Sequence, residues 1–172
     1  MSQACAVRWP KLARCELEDA KVRALKVRVR LADSDFRQDV EEGWLRALIV
    51  DDSAVMRKVI ERALRQAGLE LSEVLQASNG EEALQTLRDN QGSGALALIL
   101  SDINMPVMDG LQFLEARKQE NLAQGVPVVM ITTEGNESFV LRAIAAGAQG
   151  YICKPFTAEQ VKVRVLPLLR AA

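Results

Sequence analysis

Five residues whose types can do chemistry each follow an apolar run. They are an acidic pair at Asp51 and Asp52, a lone acid at Asp102, a hydroxyl at Thr132 and an amine at Lys154. The runs before them are Leu45-Arg46-Ala47-Leu48-Ile49-Val50, Leu96-Ala97-Leu98-Ile99-Leu100-Ser101, Val126-Pro127-Val128-Val129-Met130-Ile131 and Gly150-Tyr151-Ile152-Cys153. Continuous apolar runs bounded by turn residues read as strands buried on both faces. In an open parallel sheet, functional groups gather at the carboxyl ends of the strands. Four such ends bring three carboxylates, one hydroxyl and one ammonium into a single pocket. Crowded carboxylates repel one another and call for a hard cation with oxygen ligands, for which Mg²⁺ is the expectation. A carboxylate can also attack phosphorus and form an acyl phosphate.

Composition narrows the classes. The 172 residues suit one domain with something left over, and 49% are apolar, enough for a core. A net charge of −1 gives no general drive toward nucleic acid. No apolar run reaches the roughly 18 residues that a membrane span needs, and no signal-peptide pattern opens the chain. The three cysteines, Cys5, Cys15 and Cys153, have no CxxC spacing. They argue against a disulfide framework or a zinc site and fit a reducing cytoplasm. Cys153 reads as a small buried hydrophobe. The chain has no histidine. That excludes a Ser-His-Asp triad, a Cys-His pair and histidine-ligated metals. It also excludes a histidine kinase or a histidine phosphotransfer protein.

The elements that must position these groups alternate from Leu45 onward. Ser53 to Gln66 has helical spacing in Val55, Met56, Val59, Ile60, Ala63 and Leu64, closed by Gly68. Val74 to Ala77 reads as a short strand. Asn79 caps a helix running to about Asn90, with Glu81 and Glu82 in its first turn. Asp109-Gly110 opens a third helix. Glu137 to Ala146 is a fourth, closed by Gly147. Thr157 caps a last helix with Val161, Val165 and Leu168 on its apolar face, and Pro167 is expected to kink or shorten it. Five strand–helix units with short connections imply an α/β fold: a doubly wound, five-stranded parallel sheet covered on both faces.

Residues 1–44 are different. Early Arg and Lys give way to Asp33, Asp35, Asp39, Glu41 and Glu42, and only Val27 to Leu31 alternates like a strand. The segment reads as an N-terminal extension, poorly ordered or only partly structured, or as a start placed too early. Residues 45–172 form the domain proper. No Met lies between Met1 and Met56, so a later start needs an alternative codon, at Val40 or Leu45 for example.

The blocks LIVDDS, LILSDINMPVMDG, VVMITTEG and YICKPF, in this order and spacing, resemble the receiver domains of bacterial two-component response regulators. The likeness is strongest to single-domain regulators of the CheY type and covers about Leu45 to Leu169. It implies the flavodoxin-like strand order 2-1-3-4-5, the order for which CheY is a standard example. It makes Asp102 the phosphoacceptor, and it makes Asp51, Asp52, Asp102 and the main-chain carbonyl of Asn104 the Mg²⁺ site. Asp52 and Asp102 then ligate directly and Asp51 through water. Lys154, before a cis Pro155, faces the phosphate. Thr132 donates its hydroxyl to the phosphoryl group and, with Tyr151, forms the switch. Asn104 and Glu134 tune hydrolysis of the acyl phosphate.

The implied function is phosphoryl acceptance from a sensor histidine kinase, with output through a protein-binding face made by the fourth helix, the fifth strand and the fifth helix. Such a chain is expected to be a cytoplasmic monomer, linked to chemotaxis, and not an enzyme beyond its own phosphorylation and autodephosphorylation. With the sequence ending at Ala172, a DNA-binding output domain is not expected. Alternatives are a phosphate-shuttle or sink receiver in a multi-step relay, a scaffold that no longer accepts phosphate, or an aspartyl-nucleophile phosphatase. The dehalogenase-like phosphatases need a second Asp two residues after the nucleophile. Asn104 occupies that position, which counts against them.

Overall fold

The computed structural model describes residues 45–92, 96–133 and 137–170. The expectation of a poorly ordered extension over residues 1–44 lies outside the described residues. The elements run β1 (Leu45–Val50), α1 (Ala54–Gln66), β2 (Leu71–Ala77), α2 (Gly80–Asp89), β3 (Leu96–Ser101), α3 (Gly110–Gln119), β4 (Val128–Thr132), α4 (Glu137–Ala146), β5 (Gly150–Cys153) and α5 (Ala158–Arg170).

The strands form one sheet in the order β2-β1-β3-β4-β5, with every neighbouring pair parallel. This is the doubly wound order expected from the motifs. Side chains along a strand alternate between the two faces, and the core divides accordingly. Ala47, Ile49, Leu98, Leu100, Val129 and Ile131 pack beneath α1 and α5. Leu48, Val50, Ile99, Val128 and Met130 pack beneath α2, α3 and α4. A strand between two helical layers has no solvent face, so β1 is buried along its whole length. Edge strand β2 is instead exposed or half-exposed between its buried ends.

Local signals set the helix starts, and each start lies at the sheet's carboxyl end. The Ser53 hydroxyl accepts from the Met56 amide at 3.3 Å. Asn79 caps α2 through the Glu82 amide at 2.9 Å. Asp109 and Gln112 form a reciprocal capping box at α3, with bonds of 2.8 and 3.0 Å. Thr157 and Gln160 do the same at α5. Such caps each contribute about 1 kcal/mol and hold the preceding turn.

Three expectations need correction. β2 begins three residues earlier than Val74, because Leu71 pairs with Leu45. Pro167 does not stop α5, which continues to Arg170. Pro167 lies in the final turn on the exposed side, where the lost backbone bond faces water. Cys153 is exposed rather than buried. It is the last residue of β5, which among the described residues is an edge strand beside β4.

Candidate functional site

Thr132 closes β4, and three further chemistry-bearing residues are carried by a backbone ladder that runs one step past the end of their strands. The Asp51 amide donates to Ala77 at 3.1 Å, the Asp102 amide to Val50 at 2.8 Å and the Lys154 amide to Thr132 at 2.8 Å. Sheet register therefore sets where these side chains start, and they converge at the carboxyl edge of β1, β3, β4 and β5.

Asp51, Asp52 and Asp102 each offer a carboxylate oxygen within 4.8 Å of the others. Asp51 and Asp102 are buried, at 1% and 7% exposure, while Asp52 is exposed. An all-oxygen donor set with one face toward solvent fits a hard divalent cation. Lys154 bridges the two buried acids: its Nζ lies 2.7 Å from Asp51 Oδ2 and 2.6 Å from Asp102 Oδ2, with the side chain only 10% exposed. Burial works against the Lys154 ammonium, but hydrogen bonds to Asp102 and Asp51 outweigh it, and its pKa stands above the ordinary lysine value.

The remaining carboxylate oxygens are held from the main chain. Asp51 Oδ1 accepts from the Ser53 amide at 2.9 Å. Asp102 Oδ1 accepts from Ile103 at 2.6 Å and more weakly from Asn104 at 3.4 Å. The turn behind Asp102 is tight. A Cβ on Gly110 would lie 2.1 Å from the Asp102 carbonyl oxygen, and the Gly110 amide donates to Ile103 at 2.8 Å. The same turn is tied to the start of α2 by the Gly80 amide, which donates to Met108 at 3.0 Å.

Thr132 is fully buried at the end of β4. Asn104 is exposed beside Asp102. Tyr151 is partly buried, its ring packed against the α2–α3–α4 core and its hydroxyl oxygen shielded from solvent. The Lys154–Pro155 peptide is cis. Glu134 lies outside the described residues. Sequence reading missed Arg57, whose Nη1 donates to the Asp51 carbonyl at 2.6 Å. Its signal was a basic residue five positions after the acidic pair, early in the helix that follows it. Reading also missed Gly110 as a steric requirement, since a DG pair signals a turn but not a close approach.

Comparison with known proteins agrees with this geometry. The response regulator receiver domain family matches residues 47–166. Chemotaxis protein CheY1 of Helicobacter pylori is 38% identical over 121 residues, covering 70% of this chain and 94% of the relative. A CheY homolog of Campylobacter jejuni is 35% identical over 125 residues, covering 73% and 92%. Among solved structures, chemotaxis protein CheY4 of Vibrio cholerae superposes with a TM-score of 0.60 at 33% identity, covering 75% of this chain and 99% of that one. A putative response regulator from Chloroflexus aurantiacus gives 0.63 at 33% identity, covering 73% and 97%. Among the described residues, no helix is long and apolar enough to cross a membrane. With the sheet order, the acidic cluster and these likenesses together, the chain belongs to the response regulator receiver family, as a homologue of CheY-type chemotaxis regulators.

Proposed function

We propose that this protein is a phosphorylation switch in which Asp102 accepts a phosphoryl group from a histidine kinase and output passes by protein contact in a chemotaxis-like pathway. The observation that carries the reading is the trio of carboxylates within 4.8 Å, with Lys154 held between two of them. The Asp102 carboxylate is the nucleophile. Its oxygen–phosphorus bond forms as the bond from phosphorus to the donor breaks, and the leaving group departs with the electron pair. An ionised carboxylate needs no general base, so the lack of histidine is no obstacle. Mg²⁺ held by Asp51, Asp52, Asp102 and the Asn104 carbonyl would neutralise charge on the transferred oxygens.

Lys154, already against Asp102 Oδ2, is placed to follow the phosphoryl group once it forms. The Thr132 hydroxyl sits one sheet position away, at the end of β4, and donates to the phosphate. Its movement makes room for Tyr151 to change position, which alters the face made by α4, β5 and α5 for a partner to read. Water attack at phosphorus later returns the carboxylate, with Asn104 and Glu134 setting the rate. The protein thus modifies only itself and turns over no separate substrate. The relatives' names support the chemotaxis assignment over a phosphate-shuttle role. A cytoplasmic setting accords with a kinase donor that draws on ATP.

The test is incubation with acetyl phosphate with and without Mg²⁺. One added phosphate, on Asp102 and only with the metal, is expected. Labelling without metal, or on another residue, would overturn the assignment.

A further inference from the structure

We propose that Arg57 is a positioning residue for the metal pocket, locking the peptide between Asp51 and Asp52 in the plane that presents the Asp52 carboxylate. The inference rests on reading the pocket as a Mg²⁺ site. Asp51 is held at many points. Its amide is bonded to Ala77, and its carboxylate accepts from Ser53 and Lys154. Asp52 is exposed, and its carboxylate depends on where the backbone delivers it. The Asp51 carbonyl belongs to the peptide that leads into Asp52. That carbonyl accepts from Arg57 Nη1 at 2.6 Å.

Arg57 is itself fixed from the far side. Its Nε donates to Gln76 Oε1 on β2 at 3.0 Å. Nearby, hydrogen bonds from Ser78 hold the Glu82 carboxyl below its ordinary pKa, with a smaller contribution from the Arg57 charge. One guanidinium therefore links α1, the acidic turn and β2. The planar fork presents Nη1 and Nε to the two acceptors in fixed directions; a lysine ammonium, a single point donor on a flexible stem, does not reproduce that geometry.

Groups that orient metal ligands are worth on the order of ten- to a hundredfold in metal affinity. Positioning and bare charge predict opposite results. A cation beside the pocket repels Mg²⁺, so charge alone makes its removal favourable. Positioning makes its loss harmful even when the charge stays. Mg²⁺ titration by calorimetry on the full chain, beside metal-free melting curves, separates these. Arg57→Lys should bind roughly tenfold more weakly than wild type, with an unchanged metal-free melting temperature. Gln76→Ala, also charge-neutral, should lose a smaller factor and add nothing to Arg57→Lys.

Wild type that binds no Mg²⁺ would sink the proposed function itself. Wild-type binding with both variants unaffected would overturn the role of Arg57. So would tighter binding by Arg57→Ala, or affinity that falls only as far as metal-free stability does.

Discussion

The two halves of the pocket are held in different ways. On the β1–β3 side, the two buried acids are held at several points, mostly by main-chain groups. Asp51 is bonded through Ser53, Ala77 and Arg57, and Asp102 through Ile103, Val50 and a turn with no room for a Cβ at Gly110. On the β4–β5 side, Thr132 and Lys154 are joined by a ladder bond, and among the described residues the Lys154 side chain is anchored across the gap, on the acids of the other half. Tyr151 is half-buried, and Cys153 beside it is exposed. Chemistry benefits from ligands fixed before the reaction. A response needs a part that can change once charge arrives. Damage to the first half should therefore abolish phosphorylation, and damage to the second should leave it while silencing the output.

The largest effect is expected at Asp102. Asp102→Asn replaces the carboxylate of the proposed nucleophile with an amide of the same shape, so labelling by acetyl phosphate should vanish with the fold intact by circular dichroism. Retained labelling would break the assignment of the acceptor to the β3 end.

Next is Gly110→Ala. The added methyl meets the Asp102 carbonyl oxygen at 2.1 Å and the Met130 side chain at 2.8 Å, and a carbonyl cannot move aside as a flexible side-chain end can. Overpacking of this kind costs about 1–3 kcal/mol. Denaturant unfolding should show that loss, together with slower phosphorylation. A stable variant of normal rate would mean the acidic half is less rigid than the contrast requires.

Much of this contrast was legible in the sequence. The β1–β3 side announces itself through charge at strand ends, and local caps such as Asn79 and Asp109 follow from residue type. Contacts that depend on distant chain segments were not legible. Arg57 meets Gln76 across 19 residues; the gathering of Lys154 with the acids was read from the strand ends, but not its direct bond to Asp51 across 103 residues. Cys153 was misread because its hydrophobicity said buried, whereas position at the end of an edge strand decides exposure. The early end expected from Pro167 did not occur, because a proline in the last turn forfeits a bond that water can replace.

Lys154→Ala sharpens the comparison from the other side. The variant should bind Mg²⁺ at least as tightly, since a competing cation leaves Asp51 and Asp102, and it should still accept phosphate. Its partner binding should no longer respond. Without metal it should be less stable by about 1–3 kcal/mol, as two buried acids lose a charged partner. The raised lysine pKa fixes the pH dependence. A group whose folded pKa lies above its unfolded value stabilises fully below that unfolded value, here ordinarily 10.5, and loses the contribution as pH rises through the folded one. The gap between wild type and Lys154→Ala should stay constant across neutral pH, where no histidine titrates. It should close only at strongly alkaline pH. A gap that changes near neutrality, or normal partner binding on phosphorylation, would mean Lys154 does not couple the two halves.

The smallest effect is expected from removing the first 42 residues, so that the chain begins at Gly43. The proposed boundary between residues 1–44 and 45–172 rests on where the strand–helix alternation begins, and the start of β1 is already anchored from within the domain. Arg46 is paired with Glu73 and donates to Asn90 at 2.8 Å, and the Leu45 carbonyl accepts from Ser72 at 3.1 Å. Leu45 itself is buried. Both halves of the pocket lie at the opposite end of these strands, so neither the acids nor Lys154 should register the cut. The shortened chain should unfold cooperatively, bind Mg²⁺ and accept phosphate at wild-type rates. A loss beyond about 2 kcal/mol would be a large fraction of a domain's stability. Such a loss, or aggregation, would show that Val27–Leu31 or another part of residues 1–44 covers part of the receiver, and the boundary at Leu45 would have to move.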